Sequence, residues 1–215
     1  MAMVIWSLEC TTAWTYDVRS ERFKPLLFLI CLYPVFRWVV LAYGPDGLGA
    51  NPPEYLIRST GVWSLVLLCI TLCVTPVRKM LDRPELIRFR RMLGLFSFFY
   101  GMLHVLGWAL WEHGWSMASM AADIIQRTFV WVGVLAFVPM LLLALTSTQG
   151  WMRRLGRRWK QLHFSIHAIA ILSVWHFWLV RGGKVDYREP LVYAAMLLLI
   201  YGVRLALKLR RVHGA

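Results

Sequence analysis

Apolar residues in this chain gather into long runs, and the polar positions between them are largely basic. Crossing a bilayer core takes roughly 20 apolar residues as helix, because backbone N–H and C=O groups cannot stay unpaired in hydrocarbon. Six segments approach that length: 25–43, 61–77, 92–111, 128–147, 161–180 and 190–207. The second, third and fourth contain no Asp, Glu, Lys or Arg. The first is interrupted by Pro34 and Arg37, and the last carries Arg204 near its end, where a long side chain can snorkel to the interface. The pattern predicts an all-α integral membrane protein, a six-transmembrane-helix bundle over residues 25–208. Residues 1–24 form a segment before it and 209–215 a tail after it. Between segments, 44–60 is rich in Gly and Pro and reads as an ordered turn. The stretch 112–127 reads as a short interfacial helix, with Trp111 and Trp115 at headgroup depth.

Composition agrees with lipid as the main solvent. Apolar residues make up 59% and charged residues 16%, against roughly 45–50% and 25% in soluble domains. A net charge of +13 would in a soluble domain point to nucleic acid. Here the basic residues sort by side instead. Seventeen Lys and Arg fall at the N-terminus, the connections 78–91 and 153–160, and the C-terminus, and five fall in the alternate connections. By the positive-inside rule the first set is cytoplasmic, so both termini are expected in the cytoplasm and nucleic acid drops out as a partner. Residues 1–24 lack a continuous apolar core and carry six charges, so no cleavable signal peptide is expected. Cys10, Cys31, Cys69 and Cys73 form no Cys-x-x-Cys pair, and neither a disulfide nor a zinc site is expected. No internal repeat, Walker motif or Gly-x-Gly-x-x-Gly unit is evident. No nucleotide-binding domain is expected, so whatever feeds this protein is expected to bind from outside.

The candidate chemistry lies in the histidines. His113 and His213 sit at or beyond segment ends, whereas His104, His163, His167 and His176 lie within the third and fifth segments. Ionisable groups inside a membrane are functional candidates. Both segments run outward from the cytoplasm. If Arg91 and His163 are level, His104 and His176 each lie 13 residues further, roughly 20 Å higher at 1.5 Å per residue. The two should face each other at one depth toward the outer side. Two opposed imidazoles are what a six-coordinate b-type haem needs, and no Cys-x-x-Cys-His run is present for covalent attachment. His163 and His176 do not share a helix face, since 13 residues rotate a helix by roughly 220°; His163 and His167, at i and i+4, do. Gly94, Gly101 and Gly107 either admit a porphyrin edge or serve as close-packing residues, with packing favoured. Arg37 must be paired or lie near a cofactor propionate.

The run Ile87-Arg88-Phe89-Arg90-Arg91-Met92-Leu93-Gly94-Leu95, followed by Leu103-His104, resembles the MsrQ (YedZ) family. So do Leu145-Thr146-Ser147-Thr148-Gln149, Leu155-Gly156, Trp159, Gln161-Leu162-His163 and, 13 residues on, His176. Asp46-Gly47-Leu48-Gly49-Ala50 and Pro190-Leu191-Val192-Tyr193-Ala194 are similar to the same family, and the likeness covers about 25–208. That family is the haem-bearing membrane subunit of the bacterial periplasmic methionine sulfoxide reductase system. It belongs with ferric-reductase-like transmembrane proteins and the NADPH oxidases. The oxidases carry two histidines on each of two helices; here the inner position on the third segment is near Arg91. The resemblance implies one or two b-type haems, with FMN as a further cofactor, in the bacterial inner membrane. It makes His104, His176 and His163 metal-ligand candidates and Arg91 a cofactor-binding candidate, and His167 is an available second ligand for an inner haem.

The expected function is transmembrane electron transfer. A cytoplasmic flavin reductase or membrane quinol is the donor, and a periplasmic molybdopterin methionine sulfoxide reductase (MsrP-like) is the acceptor. The chain would be an electron-transfer subunit rather than the catalyst of the final reaction. The alternative is a small transporter using intramembrane histidines as a proton or metal relay. It would call for carboxylates beside them in the segments, and none occurs there.

Overall fold

The computed structural model describes residues 23–45, 47–182 and 186–213. Expectations placed on residues 1–22, Asp46, Lys184 and 214–215, and on the side chains of Arg211 and His213, lie outside them. Every regular element among the described residues is helical: α1 (Lys24–Ala42), α2 (Pro52–Met80), α3 (Ile87–Gly107), α4 (Met117–Gln126), α5 (Thr128–Leu145), α6 (Gln149–Leu155), α7 (Arg157–Phe164), α8 (Ile166–Gly182) and α9 (Arg188–His213). A 3₁₀ turn (Pro84–Leu86) precedes α3, and a π-helical turn (Trp108–Glu112) continues it. Among the described residues, six helical stretches are long and apolar enough to cross a membrane, with α7 and α8 together forming the fifth. The chain is a multi-pass membrane protein.

The connections depart from expectation where capping chemistry is strong. The presumed turn 44–60 is helical from Pro52 onward. Asn51 accepts a hydrogen bond from the Glu54 N–H at 3.3 Å, and Pro52 and Pro53 occupy the first helical positions, where their missing donors cost nothing. The 112–127 stretch does contain a short helix, α4, capped by Ser116, whose Oγ accepts from the Ser119 N–H. The basic connection 153–160 is also largely helical: α6 is capped by Thr148, and Gly156, at φ +50°, turns the chain into α7.

Two apolar cores share α2. Leu68, Cys69 and Leu72 pack with Met140, Ile169, Ala170, Leu197 and Ile200 from α5, α8 and α9. On the other side Leu67 packs with Cys31, Trp38, Leu93, Phe96 and Tyr100 from α1 and α3. In lipid, apolar burial drives helices together weakly, so close packing and polar links matter more. Ser64 and Ser97 exchange reciprocal side-chain-to-carbonyl bonds of 2.9 and 2.8 Å between α2 and α3. Tyr100, fully buried, donates to the Cys31 carbonyl at 2.6 Å, and Trp38 donates to Ser59 Oγ at 2.9 Å. Arg204 does not snorkel outward. Its guanidinium donates to the Leu72 carbonyl at 2.7 Å and lies 3.4 Å from His167 Nε2, tying α9 to α2 and α8. Large side chains such as Leu29, Phe36, Leu198 and Leu199 point away from the bundle, as lipid-facing positions should.

Candidate functional site

His104 on α3 and His176 on α8 come together inside the bundle, with ring centroids 6.0 Å apart and planes at 81°. Each ring is held by a backbone carbonyl: Nδ1 of His104 donates to Ile57 O, and Nδ1 of His176 donates to Phe129 O, both at 2.7 Å. A carbonyl only accepts, so each Nδ1 must carry the proton. Each Nε2 then keeps its lone pair, the tautomer a metal-binding histidine needs. An iron bonded to both rings at about 2 Å, the usual metal–imidazole length, would set their centroids about 6 Å apart.

Glycine makes room for both rings. A Cβ at Gly61 would lie 3.0 Å from Nδ1 of His104, and one at Gly133 would lie 3.0 Å from Nδ1 and Cε1 of His176. The two half-sites repeat. Ile57 and Phe129, Gly61 and Gly133, and His104 and His176 all stand at one constant offset of 72 positions. The carbonyl-to-histidine separation is 47 residues in each half. The repeat missed in the sequence is therefore present in the structure. Val62 and Val134, and Val66 and Val138, share the same offset, but most other positions on these helices differ, so spacing carries most of it.

Both rings line a cavity of about 370 Å³, together with Gly61, Gly133, Gly101 and Ser173. Gly101 also sits close to Ser64 and Met140, and Gly107 to Trp111 and Ile57, so close packing accounts for both. Gly94 faces Thr71. Among the described residues no three His, Cys, Asp or Glu side chains converge on a metal position. Two imidazoles are too few for a structural zinc site. They suit an iron whose remaining ligands arrive with it, as those of a porphyrin do. The residues fit a haem.

The inner candidates are not assembled in this way. His163 on α7 stacks on Trp159 at 3.9 Å between centroids. Its Nδ1 lies 3.1 Å from the Trp159 carbonyl and its Nε2 3.5 Å from Ser147 Oγ. His167 turns to a different neighbour, with Nδ1 3.1 Å from Tyr201 Oη and Nε2 facing Arg204. Their expected common face is lost because α7 ends at Phe164 and α8 begins at Ile166. Arg91 is exposed, whereas Arg90 is half-buried. Arg37 pairs with Tyr55 Oη at 3.0 Å. His113 is bound to Ser119 Oγ at 2.8 Å and to the buried Asp123 at 3.1 Å.

Sequence reasoning missed Gly61, Gly133 and the carbonyls of Ile57 and Phe129. The one available signal was the shared offset of glycine and histidine. It also missed Arg58, Arg127 and Arg181, which line the same cavity.

Residues 60–174 match the family model described as the ferric reductase like transmembrane component. The protein-methionine-sulfoxide reductase heme-binding subunit MsrQ of Bordetella pertussis is 50% identical, over 88% of this chain and 92% of its own length. The subunit of the same name from Ralstonia nicotianae is 49% identical, over 83% and 82%. That of Xanthomonas campestris pv. campestris is 43% identical, over 78% and 76%.

Proposed function

Because the chain belongs to the MsrQ family of heme-binding membrane subunits, with a redox role in the membrane, we propose that it carries electrons outward across the bacterial inner membrane through a b-type haem held by His104 and His176. The observation that carries this reading is the pair of Nδ1–H to carbonyl bonds, which leaves two Nε2 lone pairs on one cavity. A haem bound there supplies a reversible one-electron couple. The carbonyls of Ile57 and Phe129 fix each ring's tautomer and direction and raise its basicity toward iron. Gly61 and Gly133 let the rings lie against the backbone of α2 and α5. His104 and His176 would both be committed to holding the haem, which would then supply electron relay and not a site for oxygen or substrate.

The donor is a cytoplasmic flavin reductase or membrane quinol, and FMN is a further cofactor in this reading. The acceptor is a periplasmic molybdopterin methionine sulfoxide reductase, which returns oxidised methionine to a flexible apolar side chain. The relatives' names, which place a heme-binding subunit in a protein-methionine-sulfoxide reductase, support the system. The positive-inside asymmetry supports the direction.

Visible absorption of purified protein before and after dithionite tests the site. His104→Ala and His176→Ala should each remove the same low-spin signal, since each takes away one of the two histidines that would hold one haem. His113→Ala, held by Ser119 and Asp123 outside the cavity, should leave it unchanged. Full haem content with an unshifted spectrum in His104→Ala would refute the assignment.

A further inference from the structure

The histidine cavity is apolar through most of its depth, and its charged residues gather at the outer end. Three arginines are among them. Arg58 directly follows Ile57, whose carbonyl orients His104, and Arg181 lies five residues beyond His176. Arg127 is committed to Asp123 at 2.8 Å. Arg58 and Arg181 share one carboxylate, Glu189 in the first turn of α9, with Arg58 at 2.6 Å and Arg181 on the other oxygen. Glu54 and Glu112 line the same rim, and Glu54 is bonded to Asn51.

Arg181 is the unusual member. It is only 7% exposed, and its Nε is buried without a hydrogen-bond partner. A guanidinium offers five donors, and a buried one left partly unfilled is costly. Arg58, Arg181 and Glu189 together carry one net positive charge, and both arginines line the histidine cavity. A haem has two carboxylates on one edge, and that edge cannot rest in hydrocarbon without cationic partners.

We propose that Arg181 and Arg58 hold the haem propionates, and that Glu189 is the carboxylate they share before haem enters. The proposal rests on His104 and His176 holding that haem. It fixes the pigment's direction: the propionate edge faces the outer surface and the apolar edge faces Met140 and Ser64, which line the deeper end. It also gives Arg181 an effect on potential, since a cation beside the haem disfavours the oxidised, more positive state.

The test uses full-length protein expressed without haem, then loaded with haem or with haem dimethyl ester, which has no charged propionates. Release to apomyoglobin and the midpoint potential are read for the parent, Arg58→Gln, Arg181→Gln, Glu189→Gln and, as control, Arg37→Gln. Arg58→Gln and Arg181→Gln should release haem about ten- to a hundredfold faster, the loss of a charge-assisted hydrogen bond, and both potentials should fall. With the ester, their release should match the parent's. Glu189→Gln, by freeing both arginines, should not speed release, and Arg37→Gln should change nothing. Arg58 is half-exposed, so its variant decides the matter if Arg181→Gln fails to fold. Parent-like release and potential in Arg58→Gln would overturn the proposal, as would an equal effect on haem and ester. If the parent binds neither pigment, the haem reading itself fails and this proposal goes with it.

Discussion

At position 61 a single methyl group would touch the ring of His104, and at position 133 one would touch the ring of His176. An imidazole is rigid, and each of these is tethered through Nδ1 to a backbone carbonyl. Neither ring can give way without losing its aim. Gly61→Ala and Gly133→Ala should therefore each lower the haem-to-protein ratio of purified protein, at an overpacking cost of about 1–3 kcal/mol. Gly94→Ala, whose added Cβ would meet only the Thr71 methyl at an ordinary 3.7 Å, should keep the parent ratio. An unchanged ratio in both ring-facing variants would mean that the contacts with the rings do not position them. The histidines were legible as candidates because ionisable residues are rare in membrane spans. The glycines were not. A glycine in a membrane helix is common, and only the neighbouring helix reveals what its missing side chain makes room for.

Helices bring His104 and His176 together and keep His163 and His167, the inner pair of the proposed orientation, apart. Depth along two parallel spans was readable from residue counts, and the 6.0 Å approach of His104 and His176 agrees with it. The inner arrangement depends on a helix break that counting does not show. Between Phe164 and Ile166 the helix is interrupted, so His163 packs on Trp159 and Ser147 while His167 turns toward α9. Each inner ring has both nitrogens near a protein partner, whereas each outer ring has one nitrogen committed to a carbonyl. The element-level expectation is a haem-to-protein ratio near one, unchanged by His163→Ala. A parent ratio near two, falling toward one in that variant, would establish an inner haem and require the Ser147 contact to open.

For the molecule as a whole, the proposed orientation rests on charge. The basic ends of α2 and α3 and the basic helices α6 and α7 all belong to the side carrying seventeen Lys and Arg, against five opposite. A reporter fused after Ala215 should be active only in the cytoplasm, and one inserted near Asn51 only in the periplasm. A periplasmic signal from the C-terminal fusion would reverse the direction of electron flow proposed here. In the proposed orientation Arg58, Arg181 and Glu189 lie on the outer side, where an acceptor could approach the cavity's charged end.

The sequence by itself determined that this protein lives in a membrane, how many times it is long enough to cross, and which histidines lie at one depth. These are properties of local composition and of distance along a helix axis, and both are conserved when a chain folds into regular helices. Tertiary structure alone decided which face each helix turns to its neighbours. That rotation gave His104 and His176 their carbonyl partners, made Gly61 and Gly133 their backing, separated His163 from His167, and set the buried Arg181 beside the cavity. Rotation is settled by packing between segments far apart in sequence, and in near-uniformly apolar spans the pattern along the chain leaves it almost unmarked.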